Sequence, residues 1–302
     1  MERVKQVVHA KEVYQNGYTG KGVRIALLDT GVQPRTGLSG RIYLFRDYIK
    51  YRRKIYDDNG HGTHIAGILC GEQNVREKGS LKYQSGMAPG AELVVFKILD
   101  EHGKGSTDKA IRALDWILEN HKREKIRILN FSMGYMPNGN PRIQKQLVEK
   151  LEQLWEEGVT VVTAAGNNGP EENTITIPGV SRKVITVGSS DDIRPKTKQG
   201  KQKVDGYGGR GPTDCCIVKP EILAPGTEIY SLSHTHDGLV RKSGTSMSVP
   251  VVCGALALAL EKKPMLRPVE LKLLLYDSVS PVKEENMPAW GILNVDNLMK
   301  IL

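Results

Sequence analysis

The sequence has few cysteines and no long apolar run, and each shortage argues against a class of protein. The cysteines form no spaced disulfide framework, since two are adjacent and the others isolated: Cys70, Cys215, Cys216 and Cys253. Reduced thiols in the cytoplasm are the simplest interpretation. The longest apolar run, residues 249–260, contains a glycine and is shorter than the roughly 18 residues of a membrane span. We therefore expect no membrane partner.

Targeting and polyanion-binding signals are also scarce. The N-terminus, MERVKQVVHAKEV, lacks the apolar segment of a signal peptide, which again favours the cytoplasm. The net charge is +9, but the basic residues are scattered except in residues 51–54 and 195–203. Neither stretch belongs to a recognisable nucleic-acid module, so we interpret both as solvated loops and expect no nucleic-acid partner.

What is present is the composition of an ordinary soluble globular protein, with 39% apolar and 25% charged residues in a chain of 302. That length is ample for a hydrophobic core. No internal repeat, linker or composition break divides the chain, so we predict a single domain over residues 1–302. Nothing in the sequence indicates an oligomeric state.

Apolar strand patterns alternate with helical patterns along the chain. The strands are predicted at residues 23–29, 91–99, 125–133, 159–166 and 184–190. The helices are predicted at residues 61–70, 108–120, 142–158, 246–261 and 268–278, with Ser106 and Thr107 as caps of the second. Near-continuous apolar strands between helices indicate an α/β fold, a three-layer, doubly wound, mostly parallel sheet with helices on both faces.

Polar residues follow three of these strands directly. Asp29 ends the first, Ser132 ends the strand at 125–133, and Asn167 comes just after the strand at 159–166. Function gathers at the carboxyl ends of the strands in such sheets. We therefore expect these three residues at one edge of the sheet.

Four short motifs supply the groups of a nucleophilic site. Asp29 lies in LLDTGV, His61 in NGHGTHIAG, Asn167 in TAAGNNG and Ser246 in SGTSMSVP, before an apolar helix. A serine at a helix start is usually a cap. It can also be a nucleophile, which then needs a histidine base, an aspartate to orient that base and a donor for the oxyanion. Each motif alone is weak evidence for catalysis.

Together, in the order Asp, His, Asn, Ser, the motifs resemble those of the subtilisin-like serine proteases, the subtilases. DTGV, HGTHIAG, AAGN and GTSMSVP match that family's signatures, and the resemblance extends over nearly the whole chain. It implies a serine endopeptidase that cleaves through an acyl-enzyme, with Asp29 as orienting acid, His61 as general base and Ser246 as nucleophile. It assigns Asn167 and the Ser246 backbone N–H to the oxyanion.

The resemblance also implies a substrate-binding cleft. FSMGY contributes Ser132, Met133 and Gly134 to one edge, and HGKGS contributes Gly103, Lys104 and Gly105 to the other. An extended peptide would bind between them as an added strand. Thr176 corresponds to the floor of the first pocket or is a plain loop residue; as a small neutral floor it favours uncharged, medium or large apolar side chains at the cleaved position.

Some features depart from the family pattern. The stretch after residue 70 lacks the Asn-rich calcium-binding segment of secreted relatives, and Gly37-Leu38 replaces an aspartate that they use. We therefore expect no required cofactor and no strong calcium site, with room only for a weak one. No chaperone-like prodomain precedes the domain, which indicates an intracellular enzyme that folds unaided or a mature fragment. The basic segment 196–212 is interpreted as a surface loop or a docking site for an acidic partner.

Two residues near the motifs are assigned structural roles. His64, the second histidine of HGTH, is expected to be neither base nor metal ligand. Cys253 lies on the helix that begins near Ser246, two turns further along on a similar face. It is expected to be a packed core cysteine, although it could make the enzyme sensitive to bulky thiol reagents.

Alternative functions remain beside the protease. One alternative is a catalytically silent scaffold that binds peptides or a partner protein, but such a scaffold would normally lack a triad member. Another is an esterase that uses the same triad, although the G-x-S-x-G elbow typical of the α/β-hydrolases is absent around Ser246. GKGS at Gly103 lacks the upstream glycine of a phosphate-binding loop. For an active protease, general protein turnover and dedicated precursor or leader processing are both open.

Overall fold

The computed structural model describes residues 1–34, 36–77, 80–134, 140–192, 206–213, 217–282 and 289–302. Several sequence predictions concern residues outside these ranges. They are the pairing state of Cys215 and Cys216, most of the basic segment 196–212, and Tyr135 of the FSMGY motif.

The described strands and helices alternate along much of the chain. The strands are β1 (Arg24–Asp29), β2 (Ile42–Asp47), β3 (Glu72–Glu77), β4 (Ser80–Ser85), β5 (Glu92–Lys97), β6 (Ile126–Phe131), β7 (Thr160–Ala164), β8 (Ile185–Ser189), β9 (Ile222–Ala224), β10 (Ile229–Leu232), β11 (Leu239–Lys242) and β12 (Gly291–Ile292). The helices are α1 (Glu2–Val7), α2 (Lys11–Gln15), α3 (His61–Cys70), α4 (Thr107–Asn120), α5 (Pro141–Glu156), α6 (Thr245–Lys262), α7 (Pro268–Ser278) and α8 (Val295–Ile301), with a 3-10 turn at Thr36–Leu38.

Among the described residues, eight strands form one sheet in the order β12-β9-β8-β7-β6-β1-β5-β2, and every neighbouring pair is parallel. The inner strands β1, β5, β6, β7 and β8 are almost entirely buried. Burial on both faces explains why their sequences are near-continuous apolar runs. The predicted three-layer α/β fold is confirmed.

Helix α6 crosses the centre of the core. It packs against α3 and against strands β6 to β9, and its apolar residues from Val249 to Leu260 are buried. By length and composition this is the described helix that could cross a membrane, but 83% of it is buried inside the protein. That burial is the pattern of a core helix.

The predicted N-cap of α4 is confirmed in position at Ser106, but not in its side-chain hydrogen bond. Ser106 occupies the N-cap position, but its side chain makes no capping hydrogen bond, and Thr107 is already the first helical residue. The first turn instead has Asp108, whose charge suits the positive end of the helix dipole.

An antiparallel hairpin, β10–β11, lies against α3. Ser231 Oγ donates to the carbonyl oxygen of His64 at 2.7 Å. His64 Nε2 lies 3.0 Å from the Ile229 carbonyl and 3.1 Å from the Val240 carbonyl. The hairpin therefore fixes the helix that begins with His61.

A buried cluster of charges joins α7 to the central sheet. The Glu221 carboxylate is inaccessible to solvent and forms ion pairs with Lys219 and Lys272. It also accepts hydrogen bonds from Thr186 N at 2.7 Å and the Tyr276 hydroxyl at 2.8 Å. All of its lone pairs face donors, as a buried carboxylate requires.

Candidate active site

Strand ends and helix starts converge at one edge of the sheet. Asp29 is the last residue of β1, Ser132 follows β6, and Asn167 follows β7, and these strands are neighbours in the order β7-β6-β1. Their carboxyl ends share an edge because the strands are parallel, as expected from the sequence. His61 is the first residue of α3 and Ser246 the second of α6.

Asp29 and His61 form a close pair. The His61 Nδ1 atom lies 2.8 Å and 2.9 Å from the two Asp29 carboxylate oxygens. Asp29 is fully buried, whereas 26% of the His61 side chain is exposed. Because a carboxylate only accepts hydrogen bonds, Nδ1 carries the proton and Nε2 is left as the basic nitrogen.

The surroundings of His61 favour its charged form. Burial is the largest influence and opposes the charge, but the Asp29 carboxylate and its hydrogen bond outweigh it and raise the pKa of His61 above the usual 6.5. The ring is thus held as a base of increased strength.

Helix α3 approaches β1 closely because residue 62 is glycine. A Cβ atom on Gly62 would lie 2.0 Å from the Gly31 carbonyl oxygen and 3.1 Å from the Asp29 carboxylate. The Gly62 N–H donates to Thr30 Oγ1 at 2.9 Å, and the Thr30 N–H donates to Asp29 at 2.7 Å. The absence of a side chain therefore lets His61 reach Asp29.

Asp57, which the sequence analysis did not single out, organises the loop before His61. Its Oδ1 accepts from Thr30 Oγ1, Asn59 N and Gly60 N at 2.8–3.0 Å. Its Oδ2 accepts from Thr63 N at 2.9 Å and Thr63 Oγ1 at 2.6 Å. His61 begins a helix, and an acidic residue four positions before it is the sequence signal that could have identified Asp57.

Lys97 was also missed, because it lies within the apolar run predicted as a strand at residues 91–99, where it is the last residue of β5. Its side chain is fully buried, and Nζ donates to Thr30 O at 2.6 Å, Leu99 O at 2.9 Å and Asp58 Oδ1 at 2.6 Å. The ammonium group therefore joins the turns that follow β1 and β5, beside Asp29.

The Ser246 hydroxyl does not cap its helix. Gly244 occupies the N-cap position of α6, and Ser246 Oγ donates to the Ser132 carbonyl oxygen at 2.9 Å. In this arrangement the hydroxyl group is hydrogen-bonded to the Ser132 carbonyl and not to His61. A hydroxyl group rotates readily, and catalytic hydrogen bonds commonly form only when substrate is bound.

The Asn167 amide is oriented by the start of α6. Its Oδ1 accepts from Thr245 N at 2.9 Å and from Thr245 Oγ1 at 3.1 Å. Since a backbone N–H can only donate, the atom facing Thr245 is the oxygen. Asn167 is exposed, so its Nδ2 donor is left available beside Ser246.

A cleft of about 610 Å³ opens next to His61. All six predicted substrate-edge residues line it, namely Gly103, Lys104, Gly105, Ser132, Met133 and Gly134. Thr30, Asn59 and Leu99 line it as well and were not predicted.

Thr176 lies between two glycines at this end of the sheet and is only 2% exposed. A Cβ atom on Gly134 would lie 2.0 Å from Thr176 Oγ1, and one on Gly166 would lie 2.5 Å from its Cγ2. The Thr176 side chain therefore fills the space beneath the segment that contains Gly134. It donates to the Ala165 carbonyl at 3.3 Å.

His64 lies behind His61 and is completely buried. Because Nε2 faces two carbonyl oxygens, that nitrogen carries the proton, and Nδ1 has no partner among the described residues. Burial is the main reason that the pKa of His64 is lowered to about 4. Within the described part of the chain, no three His, Cys, Asp or Glu side chains are grouped as a metal site requires; the expected lack of a strong calcium site stays a prediction.

Comparison with known proteins identifies the family of this chain. The chain matches the Peptidase_S8 subtilase family over residues 20–291. It is 37% identical to the serine protease AprX of Bacillus subtilis (strain 168), over 98% of this chain and 71% of AprX. It is 30% identical to subtilisin DY of Bacillus licheniformis, over 96% of this chain and 95% of that protein.

Two solved protein structures also superpose on this chain. Sphericase superposes with a TM-score of 0.78 and 25% identity over 97% of both chains. A cold-adapted subtilisin-like serine proteinase superposes with a TM-score of 0.71 and 26% identity, over 92% of this chain and 90% of that one. The chain belongs to the subtilase family. It is a serine endopeptidase, and its substrates are peptides or proteins.

Proposed function

We propose that Asp29, His61 and Ser246 are the catalytic triad of this endopeptidase. The observation that carries the proposal is the two-oxygen contact of buried Asp29 with His61 Nδ1, at the edge where α6 presents Ser246. That contact fixes the imidazole tautomer in which Nε2 accepts a proton. Rotation of the Ser246 hydroxyl away from the Ser132 carbonyl would direct its proton to Nε2.

The first half of the reaction forms an acyl-enzyme. Ser246 Oγ attacks the substrate carbonyl carbon while His61 Nε2 takes the hydroxyl proton, and the carbonyl π electrons move onto oxygen. When the tetrahedral intermediate collapses, the C–N bond breaks and the proton on Nε2 passes to the leaving amine. In the second half, water attacks the ester, its proton passes to His61, and Ser246 Oγ leaves with that proton.

Asn167 would stabilise the negative oxygen of both tetrahedral intermediates. Its Oδ1 is engaged by Thr245, so Nδ2 is the group that can donate to the oxyanion, together with the Ser246 backbone N–H at the positive end of α6. Donors held in place before the reaction need no reorganisation when the charge develops.

The cleft would bind the substrate as an extended strand. Residues 103–105 and 132–134 line the cleft, and binding as an added strand reads a peptide main chain with little regard to its sequence. Thr176 would form the floor beneath Gly134, presenting a methyl and an engaged hydroxyl group. This floor favours uncharged apolar side chains at the cleaved position.

The proposed mechanism uses no metal ion. A cytoplasmic location is also part of the proposal. The described cysteines Cys70 and Cys253 are buried free thiols, as is usual in a reducing compartment. General protein turnover and the processing of a particular precursor or leader peptide are both consistent with such an enzyme.

The test is covalent labelling with a fluorophosphonate, followed by intact-mass analysis. We expect one adduct on the wild-type protein and none on Ser246→Ala, whose peptide cleavage falls by several orders of magnitude. Ser243→Ala is the matched control, because Ser243 is an exposed hydroxyl three residues away. A folded wild-type protein without an adduct would contradict the triad and favour the peptide-binding scaffold.

A further inference from the structure

The hairpin β10–β11 places a lysine beside the proposed triad. In the antiparallel register, Ile229 pairs with Lys242 and Ser231 pairs with Val240. Side chains of directly paired residues lie on the same face of a hairpin. Ser231 Oγ reaches the His64 carbonyl of α3, so the face that includes Lys242 is the one turned towards α3.

The neighbouring cation has the opposite orientation. Arg241 pairs with Tyr230, which is 51% exposed, and its guanidinium forms an ion pair with Glu228 at 3.2 Å. Of these two adjacent residues on β11, Arg241 therefore faces solvent and Lys242 faces α3. This makes Arg241 a natural control for Lys242.

Lys242 acts on His61 through its charge. Burial has the largest influence on the pKa of His61 and of His64, and the Lys242 ammonium group adds to it by lowering both values. Lys242 is half-buried, and no carboxylate among the described residues forms an ion pair with it. A cation that has no ion-pair partner in the described part of the chain thus stands near the imidazole that must become charged during catalysis.

The mechanism defines which part of a substrate would meet this cation. The acyl half of the peptide occupies the cleft between residues 103–105 and 132–134. The amine half receives its proton from His61 Nε2 and so continues past His61, on the side away from that cleft. Lys242 does not line the cleft, and it lies on the hairpin that borders α3, four residues before Ser246.

We propose that Lys242 is a specificity-determining residue that binds an acidic side chain in the first two residues after the cleaved bond. The inference rests on the proposed triad. A substrate carboxylate would neutralise Lys242 and remove its repulsion of the imidazolium, so the gain appears in kcat as well as in KM. Neutral substrates would leave that repulsion in place.

The experiment uses fluorogenic peptides that are identical up to the cleaved bond. They differ only in having Asp, Asn or Lys at the first or the second position after it. For the wild-type enzyme we expect kcat/KM to be roughly fivefold higher with Asp than with Asn, and lowest with Lys. The preference should weaken at high salt, because the contact is partly exposed to solvent.

Two substitutions at the same position make the test specific. Lys242→Gln should cleave the Asp and Asn peptides at similar rates, and Lys242→Glu should favour the Lys peptide. Arg241→Gln should keep the wild-type preference. Fluorophosphonate labelling of each variant reports that the protein is folded with an assembled site.

The outcomes are distinguishable. Equal wild-type rates for the three peptides, or an Asp preference that survives in Lys242→Gln, would overturn the role of Lys242 and leave the triad intact. Cleavage that persists in Ser246→Ala, or no cleavage of any peptide by labelled wild-type enzyme, would overturn the proposed mechanism itself and this inference with it.

Discussion

At the scale of single residues, the site depends on groups that place His61 and set its charge. Asp29 holds the ring from one side, Asp57 ties down the loop before it, and Lys97 joins the turn after β1 to the turn after β5. The motifs predicted Asp29 and His61 because each is a short, specific string. Asp57 and Lys97 were missed because their importance lies in which donors and acceptors the fold brings to them.

Asp29→Asn should change both the rate and its pH dependence. His61 must be neutral to act as a base, so activity rises with pH through its pKa, which Asp29 raises. Removing the carboxylate lowers that pKa and moves the acid limb of kcat/KM to lower pH. The plateau should fall by roughly 10⁴, the cost of this change in another serine protease, because the wrong tautomer is favoured. The check is a pH–rate profile of both proteins; an acid limb that stays in place or moves upward would contradict this account.

Asp57→Asn should lower stability and kcat together. An amide nitrogen at Oδ2 would face two donors, Thr63 N and Thr63 Oγ1, in place of accepting from them. We expect a loss of about 1–3 kcal/mol in the free energy of unfolding and a decrease in kcat larger than the change in KM. Urea denaturation and steady-state kinetics measure both. Asp115→Asn is the control, since that carboxylate pairs with Lys150 on the surface.

Thr176→Ser tests the floor of the first pocket. The change keeps the hydroxyl group that bonds to Ala165 and removes only the methyl group beside Gly166. The extra room should raise kcat/KM for a large apolar residue at the cleaved position, relative to alanine, by roughly tenfold. Thr176→Val, which keeps the volume, should leave the size preference as it is. An unchanged profile in Thr176→Ser would mean that Thr176 lies outside the pocket.

At the scale of secondary-structure elements, the long apolar ones were predictable and the short ones were not. Helices α3 and α7 begin and end where the sequence indicated, and the inner strands differ from their predicted bounds by a few residues. Strand β2 was missed because it lies at the sheet edge with mixed burial. The strands of the β10–β11 hairpin have only four residues each and form because they pair and pack on α3.

That packing makes stability depend on His64. The pKa of this buried ring is about 4 in the native protein against 6.5 ordinarily. Between those values the unfolded chain binds a proton that the native protein does not, so stability falls as the pH is lowered from 6.5 to 4. The total loss is about 3 kcal/mol.

His64→Gln should flatten this dependence, because glutamine keeps a donor for the carbonyls and does not titrate. Urea denaturation at pH 4, 5 and 6.5 measures the slope, with Ser246→Ala as the background of both proteins to prevent self-digestion. Equal slopes with and without His64 would show that other groups cause the acid sensitivity.

At the scale of the whole molecule, charge is distributed unevenly between surface and core. The chain has a net charge of +9, yet Lys97, Lys219 and Glu221 are fully buried. Composition could not reveal this, since a lysine within an apolar run looks like any solvated cation. Only the folded structure shows which lysines are buried and which groups bind their ammonium ions.

Glu221→Gln should be among the most destabilising single changes in the chain. It would remove the carboxylate that forms ion pairs with the buried ammonium groups of Lys219 and Lys272. Removing one partner of a buried pair costs about 3–5 kcal/mol, which thermal denaturation in the Ser246→Ala background would reveal. Adding Lys272→Met should recover part of the loss; a double variant less stable than the single one would contradict the electrostatic explanation.

The distribution of the site along the chain has a consequence for synthesis. Asp29 and His61 lie near the beginning, whereas Ser246 and the helix that orients Asn167 come near the end. A ribosome therefore makes the acid and the base of the proposed triad well before its nucleophile, and the proposed triad is complete only after α6 has packed against α3. On the proposed mechanism, a chain that is still being translated, or one truncated before α6, cannot cut its neighbours or itself.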